Sequence, residues 1–287
     1  MKKIPKIFVA SVLTILFIPI ILTFLYSIST KWSTSILPQG LTLKWYGELF
    51  KNYAFIDSLF RTLFVSAASV ILSIVIMVPT VYLIVFYFKE YERLLKIVSI
   101  LPFAVPGIIY SVGVVQIYSK PPFDLTGTVW ILILAFFIFI LPMMYQGIRN
   151  SLRNINAKEF IEAAELLGAT KTQGFFKLIL PNILSGILVS SLLGFSMLFG
   201  EFVIANFLVG TSYETVQIYL MNMLNSATGQ LSSAVVISYF VFILIITSIA
   251  IKITHISNKK EKKIRNVIKV KESSSRISRL DVKGETI

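Results

Sequence analysis

Six apolar stretches, at about 7–29, 62–88, 96–118, 128–148, 182–208 and 232–254, alternate with polar segments along the 287 residues. Each meets the roughly 20 residues that a helix rising about 1.5 Å per residue needs to cross about 30 Å of hydrocarbon. Strands with open edges would leave backbone groups unpaired in lipid, so the stretches are predicted to be helices. The pattern therefore predicts an all-α membrane protein with six transmembrane helices. The third stretch carries Pro102, Pro106, Gly107 and Gly113, and its start is expected to be a break or a loop buried against protein. The first follows Lys2, Lys3 and Lys6 and ends near Ser27-Ile28-Ser29, the outline of a secretory signal. A signal core runs about 7–15 residues, however, and the run from Ile7 to Ile28 is 22 residues long. It is read as a retained span.

Three polar regions frame these spans. Segment 30–61 is rich in aromatics (Trp45, Tyr46, Phe50, Tyr53, Phe55); within it, Leu43–Phe50 and Ile56–Phe60 either form short helices along the membrane surface or belong to a plain loop. Segment 149–181 is too polar for lipid and reads as two short helices. Asn156 and Glu159 have the spacing of a capping box for the first, and Gly168 suits its C-terminal end because glycine tolerates positive φ. Thr170 and Gln173 repeat the capping spacing for the second, which is expected to end at Pro181. Phe160, Ala163, Ala164 and Leu167 make an apolar face on the first helix, opposite Lys158, Glu162 and Glu165. Segment 258–287 is basic and serine-rich, and is expected to be disordered or weakly helical on anionic lipid. The chain thus divides into a membrane domain, 1–257, and a tail, 258–287.

Composition agrees with a bilayer: 56% of residues are hydrophobic and only 14% charged. The net charge of +13 is not a nucleic-acid signature, because eleven of the 27 Lys and Arg lie between Lys252 and Lys283 and most others flank apolar runs. With both termini cytoplasmic, twenty-two of the 27 fall inside. Only Lys31, Lys44, Lys51, Arg61 and Lys120 fall outside, as the positive-inside rule requires of a multi-pass protein of the cytoplasmic membrane. Trp32, Trp45 and Trp130 lie near span ends, where rings anchor at the interface. Cysteine is absent, which removes disulfides and thiol chemistry.

Within segment 149–181, Glu162-Ala163-Ala164, then Gly168, then Leu178-Ile179-Leu180-Pro181 follow the spacing EAA, three residues, Gly, nine residues, Ile-x-Leu-Pro, with Leu178 where Ile is usual. This pattern, two spans before the C-terminus, resembles the EAA loop of binding-protein-dependent (MetI-like) ABC importer permeases. The resemblance implies the type I importer architecture with a cytoplasmic coupling helix, in which Glu162, Ala163, Ala164, Gly168, Leu180 and Pro181 couple the chain to an ATPase. It also implies the partners: an ATPase subunit dimer, a second permease subunit (identical or, as is usual in this branch, different), an extracytoplasmic solute-binding protein, and membrane lipids. No cofactor is expected in this chain, since ATP-Mg would sit on the ATPase. Segments LTLKWYGELFKNYAFIDSLFRTLFVS and GEFVIANFLVGTSYETVQIYL look like those of polyamine, ferric-iron and phosphonate permeases. A polyamine (spermidine or putrescine) is the first expectation for the solute, with ferric iron and 2-aminoethylphosphonate as alternatives.

Intramembrane charge costs at least about 2.5 kcal/mol, so an acidic residue within a span is a functional candidate. Glu201 is read as lying in the outer half of span five, either on the substrate path, with Ser196, Asn206 and Gln217 as possible polar lining, or as a group that pairs within the bundle. Pro79, Pro102, Pro106 and Pro142 can kink their spans, and His255 is read as interfacial. No P-loop, HExxH or Cys/His pair is present, so the chain is expected to be a transport subunit rather than an enzyme. The rivals from other classes are a stand-alone channel or secondary carrier, which predicts inverted repeats or several buried charges, and a membrane-bound signalling or assembly protein.

Overall fold

The structure is a computed structural model. It describes residues 4–33, 37–122, 124–155, 157–166, 168–226, 228–249 and 251–252. The tail 258–287, His255 and the capping candidate Asn156 lie outside the described residues. The described chain is almost wholly helical: α1 (Ile4–Ser27), α2 (Lys44–Lys51), α3 (Tyr53–Phe86), α4 (Glu92–Ala104), α5 (Gly107–Tyr118), α6 (Val129–Phe139), α7 (Leu141–Asn154), α8 (Ala157–Leu166), α9 (Lys171–Gly174), α10 (Leu180–Phe199), α11 (Val203–Leu208), α12 (Val216–Ser226) and α13 (Gly229–Ile249). A two-stranded antiparallel ribbon, β1 (Ser29–Lys31) and β2 (Gln39–Leu41), pairs Ser29 with Leu41 after α1. The sequence reading did not anticipate it.

By length and composition, three helices can cross a membrane alone: α3, the continuous run Lys171–Phe199, and α13. Two bent pairs bring the number to five: α4 with α5, at 103°, and α6 with α7, at 48°. Pro106 and Pro142 begin α5 and α7, where a residue without an N–H costs no ladder bond. Pro79 and Pro102, by contrast, sit inside α3 and α4. Helix α1 carries a shorter apolar stretch, Ser11–Ser27, and is exposed along most of its length. A helix apolar all round belongs in lipid or against another chain.

Helix α3 is the axis of the bundle and packs on α6, α7, α10 and α12. Its buried face carries Ser58, Thr62, Ser66, Ser69 and Ser73, whose small side chains allow close approach of neighbouring backbones. Several of these hydroxyls turn back to their own helix: Thr62 donates to Ser58 O at 2.7 Å and Ser69 to Val65 O at 2.8 Å. That is how a short polar side chain is satisfied in an apolar interior. Thr62 Oγ1 also accepts the Val216 N–H at 2.9 Å, supplying the start of α12 with an acceptor from 154 residues away.

Three expectations need correction. Ile56–Phe60 is not a separate helix but part of α3, which begins at Tyr53; Asn52 caps it by accepting the Ala54 N–H at 2.9 Å. Polar Asp57 and Arg61 mark a drop in hydropathy, yet they pair one turn apart at 2.9 Å and let the helix continue. The helix after Thr170 does not end at Pro181. A π turn, Phe175–Ile179, widens the backbone so that Leu180 N–H reaches Phe175 O, and the chain runs on into α10 with Pro181 in its first turn. Span five, expected to extend to 208, is interrupted, with α10 ending at Phe199 and a separate α11 beginning at Val203. On α8, Ala157, Ile161 and Ala164 are buried, and spacings of four and three place these three residues on one side.

Candidate functional site

Helix α8 and the turn after it are built from short-range rules. Helix residues end at Leu166, and the Ala169 N–H donates to Ala164 O at 3.0 Å, a six-to-one closure. Such a closure needs a left-handed residue just before its donor, and Gly168 has φ +83°. The spacing from the alanine pair to the glycine is therefore the spacing of a helix stop. Thr170 then opens α9 with a reciprocal capping box: its hydroxyl accepts the Gln173 N–H at 3.3 Å, and Gln173 Oε1 accepts the Thr170 N–H at 3.1 Å. The expected caps at Gly168 and Thr170 are both present.

Aromatic contacts brace this turn against the end of α3. Tyr82 and Phe175 lie 4.5 Å apart, and the Lys171 ammonium sits 4.5 Å over the Tyr87 ring. Ala157, Ile161 and Phe175 join the main core, while Glu159, Glu162 and Leu166 face outward; Leu166 is 89% exposed. Leu166 is a position the sequence reading passed over. Leu180 is partly buried and Pro181 exposed. The Ala163 side chain lies outside the described ones.

A cleft of about 550 Å³ opens between α8 and the ends of α3, α4 and α7, with Lys89, Arg149 and Arg153 facing Glu92, Glu159 and Glu162. Arg149 Nε donates to Glu92 Oε1 at 2.5 Å across 57 residues of sequence, with both side chains about one-third exposed.

The other candidate residues stand apart. Glu201 lies between α10 and α11, in the break Gly200–Phe202, and its Oε1 accepts the Ile204 N–H at 2.8 Å, satisfying one of the free donors at the start of α11. Gly200, whose Cβ would sit 3.0 Å from the Tyr239 hydroxyl, makes room for this break. Asn206 is exposed on α11 and Ser196 is half-buried on α10, so the carboxylate serves its own backbone rather than these two. At the far end of α3, Arg61 lies 5.5 Å over the Tyr213 ring. Burial pushes that phenol above its ordinary value, with Arg61 opposing and Asp57 adding to the shift.

Sequence reading also missed the crossing of α7 and α10. A Cβ on Gly147 would overlap Ser190, and one on Gly186 would come within 2.9 Å of Ser151 Cβ. The signal was present as Gly147-xxx-Ser151 and Gly186-xxx-Ser190, small residues one turn apart on both helices.

Residues 80–260 match the family model described as binding-protein-dependent transport system inner membrane component. The chain belongs to this family. It is a permease subunit of an ABC importer. Among its relatives is a 2-aminoethylphosphonate transport system permease of Salmonella typhimurium, 27% identical over 195 residues, or 67% of this chain and 72% of that protein. Another is the spermidine/putrescine permease PotC of Haemophilus influenzae, 25% identical over 212 residues, covering 74% and 80% respectively. The same fold occurs in a bacterial ABC transporter that imports the acidic polysaccharide alginate (TM-score 0.66, 20% identity, 87% of this chain and 96% of that one). It occurs again in the MetNI methionine transporter (TM-score 0.59, 16% identity, 76% and 99%).

Proposed function

We propose that this permease forms half of a solute pathway through the cytoplasmic membrane, spans it six times with both ends in the cytoplasm, and is driven by a separate ATPase dimer that grips α8. The carrying observation is the closed turn at Gly168. It holds α8 at a fixed angle to a long helix that re-enters the bundle, and it leaves Glu159, Glu162 and Leu166 exposed. A short amphipathic helix of this kind fits a groove, with Leu166 as apolar anchor and the carboxylates meeting basic groups. Glu162, Ala163, Ala164 and Gly168 form the coupling element, while Leu180 and Pro181 begin the helix that carries its motion. A second permease chain, of a different sequence as is usual in this branch, would complete the pathway, and an extracytoplasmic binding protein would deliver the solute.

For the solute we favour a small molecule bearing a primary ammonium, a polyamine first. The relatives named for spermidine/putrescine and for 2-aminoethylphosphonate share that group, whereas ferric iron lacks it. Glu201, near the break beside α11, is the candidate acid on its path, with Ser196 and Asn206 as lesser candidates. Purification with the co-expressed ATPase, followed by reconstitution with the binding protein, tests both levels. Leu166→Asp should abolish ATPase co-purification, and hydrolysis should rise with spermidine or putrescine more than with 2-aminoethylphosphonate or ferric ion. Uptake that persists without any nucleotide-hydrolysing partner would instead favour a stand-alone carrier.

A further inference from the structure

We infer that the Glu92–Arg149 ion pair is the tie through which α8 moves the broken span α4–α5, making Arg149 and Glu92 positioning residues for transport. The inference rests on the coupling role proposed for α8.

Two of the ion pairs, Lys44–Glu48 and Asp57–Arg61, lie one turn apart on a single helix and are largely exposed. Pairs of that kind contribute little. The Glu92–Arg149 pair is different in each respect. It joins two elements, its side chains are about one-third exposed, and the Arg149 Nε–H donates to the Glu92 carboxylate in a bond between charged groups. Its location matters as much as its strength. Glu92 is the first residue of α4, where a carboxylate is favoured by the helix dipole. Arg149 lies on α7, which leads through Asn154 and Ile155 into α8. A displacement of α7 at its α8 end is therefore delivered to the start of α4.

The rest of the lever is visible in the packing. Helix α4 turns through 103° into α5 at Val105–Pro106. At that bend a Cβ on Gly107 would lie 3.7–3.9 Å from Val203 and Ile204, so α5 bears directly on α11, the short helix whose first turn Glu201 satisfies. Both interrupted spans thus meet at one place, and the ion pair lies at the other end of α4. The cleft of about 550 Å³ beside α8 gives this end room to move without displacing packed atoms. Glu159 and Glu162 line the same cleft as Arg149 and Arg153, so a displaced α8 changes which carboxylates stand near the arginine that holds Glu92.

The chain contains no cysteine, so spin labels can be placed cleanly at Val98→Cys on α4 and Ile109→Cys on α5, both exposed positions on either side of the bend. The labelled permease is purified with its co-expressed ATPase, and the inter-label distance is measured by pulsed electron resonance with and without ATP-Mg and vanadate. The parent should show a nucleotide-dependent shift. In Arg149→Glu and in Glu92→Gln the shifted population should fall at least about fivefold, the low end of an allosteric coupling, while the ATPase still co-purifies. The exchanged pair, Glu92→Arg with Arg149→Glu, should restore it, which a merely structural loss would not allow. Should Arg149→Glu shift as the parent does, or the exchanged pair fail to restore the shift, the ion pair is not the tie and the α8 coupling reading stands. A parent that neither binds the ATPase nor shifts overturns both.

Discussion

A glycine held at φ +83°, with open space where a Cβ would sit, resists substitution through its backbone alone. Gly168 is such a residue. A left-handed conformation costs an ordinary L-residue about 1–2 kcal/mol, so Gly168→Ala should leave the bundle folded and relax only the turn that sets the direction of α8. The expected outcome is an unchanged melting temperature in detergent together with weakened ATPase co-purification. Gly168→Asn should recover part of the loss, because asparagine enters the left-handed region more readily. Equal ATPase co-purification by the alanine and asparagine variants would show that the left-handed turn is unimportant. Glu201 illustrates the opposite case, where a side chain rather than a backbone does the local work: its carboxylate satisfies the Ile204 N–H at 2.8 Å. Any part it takes in solute passage must compete with that bond.

Between elements, the tightest crossing is that of α7 with α10, where Gly147 meets Ser190 and Gly186 meets Ser151. In lipid the association of helices depends on close packing rather than on removing apolar surface from water. Gly147→Ala forces a methyl group into Ser190, and overpacking of this kind costs about 1–3 kcal/mol; unfolding in detergent should move to lower temperature. The double change Gly147→Ala with Ser190→Gly should recover most of the difference. This crossing also shows what sequence could and could not yield. Span interiors were legible because hydrocarbon admits only apolar helices, and the Gly168 and Thr170 caps were legible because their hydrogen bonds close within a few residues. The start of α3 was not, because a helix end and a membrane edge are different boundaries: Asp57 and Arg61 lie outside the apolar run yet inside the helix. The π turn before Pro181 was likewise hidden, since it depends on Phe175 packing against Tyr82 from a distant segment. The helix break that holds Glu201 was hidden for a similar reason, since it goes with the packing of α5 on α11.

On the scale of the whole molecule, α3 sets which parts lie on opposite faces of the membrane. Its 34 residues extend about 51 Å at 1.5 Å each, well beyond about 30 Å of hydrocarbon. Tyr53 opens this helix and is 91% exposed. Tyr82, near its other end, stacks on Phe175, and Tyr87, just past it, lies under Lys171, so the α8–α9 turn belongs to that end. Tyr53 and Leu166 must therefore lie on opposite sides, whichever way the protein is inserted. From the distribution of basic residues we propose that the Leu166 end is cytoplasmic, because Lys89, Arg93, Lys96, Arg149, Arg153, Lys171 and Lys177 lie in segments at that end. In this cysteine-free chain, Tyr53→Cys in intact spheroplasts should react with a membrane-impermeant maleimide. Leu166→Cys should react only after permeabilisation. If both react from the same side, α3 does not cross the membrane; if only Leu166→Cys reacts from outside, the turn at Gly168 faces away from every cytosolic ATPase and α8 cannot be driven by one.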